Sequence, residues 1–204
     1  MKPTHRTSSS LSALRRGFTL IELLVVISIV AVLAGLGFGG FKMAQDAARE
    51  ASAKKTMSDL IMASDAFYDE YNYLPLSEGA TSDTLQFSDN ELMSVLTGKE
   101  QAASSNPKEV RFFNGQKAKG RGSSAYDGLY ETDNEAVLYG PWRLKQENEK
   151  FYRVVYDYDY DDEIREQEGV GDEIIRGKRQ IAYHLGKDGE AGNDQNADNI
   201  YSYK

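Results

Sequence analysis

The chain has 204 residues, with 24 basic residues against 32 acidic ones and a formal net charge of −8. It has no cysteine and only two histidines, His5 and His184, far apart in sequence, which argues against a disulfide-stapled domain and a histidine-built zinc site. Residues 1–17 hold four of the basic side chains (Lys2, Arg6, Arg15 and Arg16) and no acid, so the remainder has 20 basic residues against 32 acidic ones. Such a surface repels nucleic acid and anionic lipid and suits divalent cations or basic partners.

Residues 1–14 are polar and rich in Ser and Thr. The stretch that follows, 15–41, reads RRGFTLIELLVVISIVAVLAGLGFGGF. From Phe18 to Phe41 it is 24 residues, and as a helix it spans roughly 36 Å, enough to cross a bilayer. Arg15 and Arg16 flank its start and hold that end on the cytoplasmic side, which places the rest of the chain outside the cytoplasm. Three readings fit: a plain anchor, a signal peptide cut after the span, or a chain processed before the span at Gly17. The run is longer than an ordinary signal h-region, and no small-residue cleavage site follows it. Glu22 is a carboxylate near one end of an apolar span, which is costly unless something pairs with it.

RRGFTLIE, residues 15–22, resembles the prepilin cleavage and methylation motif of type IV pilins and type II secretion pseudopilins. The resemblance implies that a membrane prepilin peptidase cuts after Gly17 and methylates the new amino-terminal residue, Phe18. It implies that Glu22, the fifth mature residue, meets the amino-terminal charge of a neighbouring subunit during filament assembly. Where family members commonly carry a proline, this chain has Gly39, inside the glycine-rich run at 35–40. Glycine there lowers helix propensity, or allows close packing of helices.

Residues 42–72 contain no Gly or Pro. Met57, Ile61, Ser64, Tyr68 and Tyr71 recur at three- and four-residue steps, with Leu60, Ala63 and Phe67 beside them, which predicts an amphipathic continuation of the helix. The alanine-rich part up to about Lys55 reads as solvated. The whole helix is expected from about Phe18 to about Tyr71, with Pro75 ending it. Residues 76–135 carry little pattern beyond a short helix from about Asp89 to Leu96. The small basic stretch Lys117, Lys119 and Arg121 reads as an exposed flexible loop. Residues 138–165 partly resemble the pseudopilin pattern of a Pro–Trp turn before two strands, with Gly140 preceding Pro141 and Arg143 following Trp142. Phe151 to Tyr158 alternates and predicts a strand. Its acids, Asp157, Asp159, Asp161 and Asp162, suit either a metal cluster or the solvated turn of a hairpin. Residues 172–175 and 178–185 are expected to form another hairpin, with Gly177 near its turn.

The tail, LGKDGEAGNDQNADNIYSY at 185–203, gathers acids and amides among glycines that let the backbone turn sharply. By composition it is either a calcium loop or a disordered acidic tail, since oxygen donors on a flexible loop suit calcium. It resembles the end of the secretion major pseudopilin through Leu185, Gly186, Asp188, Gly189, Gly192, Ala197, Asp198, Ile200 and Tyr203. That likeness implies structural calcium held by Asp188, Asp198 and the Leu185 backbone carbonyl, with Asp194 as a further ligand. The spacing is one residue short, and Asn199 separates Asp198 from Ile200.

The expected fold is α+β and type IV pilin-like: a long N-terminal helix, membrane-spanning in its first half, packed on a small antiparallel sheet, with a C-terminal calcium-type loop. The expected organisation is a leader (1–17), a transmembrane and filament-core helix (18–41), its amphipathic continuation (42–72) and a periplasmic globular domain (73–204). The resemblance implies a structural subunit of a type II secretion pseudopilus, assembled with copies of itself and other pseudopilins by an inner-membrane platform. The alternative is a minor pilin of a type IV pilus. No Ser-His-acid order, metal-binding histidine set or nucleotide motif appears, so no enzymatic activity is expected. No nucleic-acid partner is expected either.

Overall fold

The computed structural model describes residues 18–99, 102, 104–165, 174–190 and 199–203, with 36–39 described by backbone alone. The chain divides into two compact units, Met1–Ala44 and Gln45–Lys204. Helix α1 (Leu20–Tyr71, 52 residues) begins in the first unit and ends in the second.

Within the first unit every described side chain from 18 to 35 is exposed, including Leu20, Ile21, Leu24, Ile27, Val30 and Leu33. A helix that is apolar all round and covered by nothing belongs in lipid or against other helices. The helix runs through Gly39, and a methyl built on Gly35 or Gly40 would meet nothing within 4 Å.

Within the second unit α1 buries Ala53, Met57, Leu60, Ala63, Ser64 and Phe67, a stripe at three- and four-residue steps. Ala53 is fully buried, so burial begins inside the alanine-rich segment expected to be solvated: alanine's small side chain lets the helix approach its neighbours there. Ile61, Tyr68 and Tyr71 flank the stripe and are half-buried. The helix stops where Asn72 adopts a left-handed conformation (φ 60°) and donates its N–H to the Tyr68 carbonyl at 2.7 Å.

The other elements are β1 (Thr84–Phe87), α2 (Asn90–Thr97), β2 (Gly128–Glu131), β3 (Ala136–Tyr139), β4 (Arg153–Tyr156), β5 (Glu163–Ile164), β6 (Ile175–Arg176), β7 (Gln180–His184) and β8 (Ile200–Tyr201). Strands β1-β4-β7-β8 form one antiparallel sheet, with Val154 opposite Ala182 and His184 opposite Ile200. β2–β3 and β5–β6 are separate two-stranded ribbons. The period-two rule splits the main sheet into two faces. Tyr152, Val154, Tyr156 and Ala182 share a core with the α1 stripe, and the Tyr156 hydroxyl lies 2.7 Å from that of Ser64. Val155, Ile181 and Tyr183 form a second core with Ile164 and Ile175 of the β5–β6 ribbon. Both faces are therefore covered, which is why β4 and β7 are buried along their full length.

The expected short helix is α2. Asp89 caps it, accepting the N–H groups of Glu91 (3.0 Å) and Leu92 (3.4 Å), and Gly98 closes it at φ 68°. Two expectations are corrected. The hairpin expected of 172–175 with 178–185 does not form: β6 joins β5, a pairing that the Gly177 N–H extends to the Asp162 carbonyl, and β7 joins β4 in the main sheet. Residues 172 and 173 lie outside the described residues. The basic side chains Lys117, Lys119 and Arg121 are exposed as expected, but the stretch is tied down. Lys119 and Tyr126 exchange both backbone hydrogen bonds, at 2.8 and 2.9 Å, and the Lys119 ammonium pairs with Asp127 at 2.5 Å.

Candidate functional site

The head of α1 carries the first group of expected functional residues. Thr19 precedes the first helical residue. Its backbone N–H and its hydroxyl both donate to Glu22 Oε2, at 2.8 and 2.7 Å, and Glu22 N–H donates back to Thr19 Oγ1 at 3.3 Å. This is a capping box, in which two side chains reciprocally satisfy backbone donors at a helix start. It also answers the cost of the Glu22 carboxylate within the single chain: two donors and the positive end of the helix dipole already meet it. The spacing Thr-x-x-Glu at 19–22 carries that signal in the sequence, beside the intersubunit pairing that the resemblance implies for Glu22. Phe18 is exposed next to this box. Gly17 lies outside the described residues.

The second group lies at the end of β7. His184 is fully buried, with its ring centroid 5.1 Å from those of both Trp142 and Tyr152. Its Nδ1 accepts the Gly186 N–H at 3.0 Å, so the neutral ring is assigned its proton on Nε2. Burial foremost, then the nearby Arg153 charge, pushes the imidazole down to about 3, opposed by the Lys150 carbonyl. That carbonyl is not placed to form a hydrogen bond with Nε2. His184 thus remains neutral and fixes the first turn of the tail loop.

In that loop Leu185 is buried, and Gly186 (φ 72°) and Gly189 (φ 74°) supply left-handed turns on either side of Asp188. The Asp188 carboxylate is exposed and accepts the Glu190 N–H at 3.0 Å, while the Lys187 ammonium reaches Asp46 on α1 at 3.2 Å. The Asp188 carboxylate is an oxygen donor of the kind calcium takes. Asp194 and Asp198 lie outside the described residues, so of the expected ligands only Leu185 and Asp188 are placed.

A third group was read only in part. Asp157 and Asp159 come together with Asp83, and one carboxylate oxygen from each lies within 4.8 Å of the others. Asp161 and Asp162 are not members. Asp161 pairs with Arg165 at 2.9 Å, and Asp162 supplies a backbone N–H to Asp157. Asp83 sits more than 70 residues upstream, and only the antiparallel pairing of β1 with β4 brings it near. Local pattern holds no trace of that contact.

Residues 13–38 match the family described as the prokaryotic N-terminal methylation motif. No curated protein and no solved structure matches the chain. The motif is consistent with a type IV pilin-like protein, and the uncovered apolar helix that contains it fits single-pass membrane anchoring.

Proposed function

We propose that the chain is a structural subunit of a type II secretion pseudopilus, inserted in the inner membrane with residues from 42 onward in the periplasm. The observation that carries this reading is the Thr19–Glu22 capping box at the head of an uncovered apolar helix, within a matched methylation motif. Prepilin peptidase cuts after Gly17 and methylates Phe18. On assembly, Glu22 exchanges its own Thr19 donors for the ammonium of a neighbouring copy. That ion pair sets the axial register, while the apolar surface from Phe18 to Phe41 leaves lipid and becomes filament core. Further partners are the other pseudopilins and the inner-membrane assembly platform.

Calcium bound by Asp188, Asp198, the Leu185 carbonyl and Asp194 holds the tail against the sheet. Only the folded chain gathers these ligands, so binding adds stability by linkage. The tail favours the secretion reading. The elaborated region between α1 and β4 favours the second reading, a minor pilin of a type IV pilus. Deletion of the gene decides between them. Loss of folded-protein export with intact surface pili supports a pseudopilin; loss of pili with normal export supports the minor pilin.

A further inference from the structure

We propose that Asp83, Asp157 and Asp159 form a calcium site that ties the start of β1 to the turn between β4 and β5. Asp157 is 3% exposed at the end of β4, Asp83 is half-buried just before β1, and Asp159 is exposed at the mouth of the group. Two carboxylates are oriented from behind by backbone amides. Arg165 N–H donates to Asp83 Oδ2 at 2.9 Å, and Asp162 N–H donates to Asp157 Oδ2 at 3.0 Å.

The other oxygen of each, Asp83 Oδ1 and Asp157 Oδ1, is shielded from solvent and meets no hydrogen-bond donor among the described residues. A buried carboxylate oxygen without a donor is expensive, and two of them beside a third carboxylate are more so. Among the described residues none of the three is in an ion pair: the nearby Arg165 offsets Asp83 only through space, its guanidinium being turned to Asp161 (2.9 Å) and Glu163 (2.7 Å).

A hard divalent cation supplies the missing charge and the missing partner for both oxygens. Opposite ligands in a calcium shell stand about 4.6–5.2 Å apart, so three oxygens within 4.8 Å of one another fit around one ion. Oxygen donors without nitrogen or sulfur favour calcium over zinc. Water entering past Asp159 completes a shell of about 6–8 oxygens. Bound there, the ion fastens the edge strand β1 and the β5–β6 ribbon that covers the second core.

The test uses the full-length chain in detergent, stripped with chelator and titrated with calcium chloride. Bound calcium per chain and melting temperature are read. The parent is a chain whose tail ligands are removed by Asp188→Ala and Asp198→Ala. It is expected to bind one calcium with Kd of about 0.1–1 mM and to melt higher with it. Adding Asp157→Asn keeps the acceptor for Asp162 N–H but weakens binding by roughly tenfold or more. In chelator the same variant melts higher than its parent, since a repelling charge is gone. If Asp157→Asn does not fold, Asp159→Asn at the exposed member must give the same loss of binding. A tail-altered chain that binds no calcium overturns the site, as does a variant that binds as tightly as its parent. Either result leaves the tail reading intact, because the tail is already disabled in both chains.

Discussion

The imidazole of His184 lies directly against the α-carbon of Gly140: a methyl built there would stand 2.0 Å from Nε2. Gly140 is therefore required by the space the ring occupies, and the Gly-Pro-Trp turn at 140–142 folds around that ring. Gly140→Ala is expected to destabilise the second unit by about 1–3 kcal/mol. Urea unfolding followed by the fluorescence of Trp142, the chain's one tryptophan, measures this. The cost should largely vanish in a His184→Ala background, because the two residues share one space. Equal costs in both backgrounds would mean the ring is not the obstacle.

The same histidine makes stability depend on pH. Its folded value is pushed down to about 3 from an ordinary 6.5. As pH falls below 6.5 the unfolded chain takes up a proton that the folded chain refuses, so stability drops. The slope is about 1.4 kcal/mol per pH unit, or about 2 kcal/mol between pH 6.5 and 5. His184→Gln removes this contribution. Urea midpoints of the two chains should then diverge with pH in that window, and parallel profiles would contradict the assignment.

Asn106 organises the long connection after α2. It is fully buried: its amide donates to the Val95 and Val110 carbonyls at 2.8 Å each, while its oxygen accepts from Tyr71 Oη at 2.6 Å and from Val110 N–H at 3.1 Å. Asn106→Ala strands the N–H and carbonyl of Val110 and leaves the Val95 carbonyl only its bond from Gly98 N–H, and it should cost about 2–3 kcal/mol. Hydrogen exchange at Val110 should accelerate in the same variant.

These residues mark where sequence reading succeeds and fails here. The long helix was legible because its pattern is local: an apolar run, then a three- and four-residue stripe, then Asn72 and Pro75. The short helix α2 was legible for the same reason. Gly140 and Asp83 were not, because each owes its role to a partner far along the chain; Asn106 was not, because its bonds to Val95 and Val110 sit in an irregular connection with no periodic pattern. The pairing of β6 with β5 was missed likewise, since two-residue strands carry too little alternation to fix a register. At the head of α1 the capping box of Thr19 and Glu22 is also local, since the two residues stand three apart.

If the tail loop holds calcium, removing it frees the segment that His184 and Lys187 anchor at one end. Excess chelator should raise the rate of proteolysis within the tail, and Asp188→Ala with Asp198→Ala should abolish the difference. An unchanged digestion rate would contradict a calcium-held loop.

Thr19→Val removes a hydroxyl that both donates to Glu22 and caps the helix, at a cost of about 1 kcal/mol to the helix start. It should leave membrane insertion unchanged while altering the yield of filaments. Glu22→Ala should also insert normally but assemble poorly, measured as sheared filaments against membrane-retained subunit. A Glu22→Ala chain that assembles like its parent would remove the ion-pair role.

The most direct test is the mass of the amino terminus after co-expression with a prepilin peptidase. The account predicts a chain beginning at Phe18 and heavier by one methyl group, with a bulky residue at Gly17 blocking both changes. A chain that keeps the segment before Phe18, or that is cut beyond the apolar run, would contradict it.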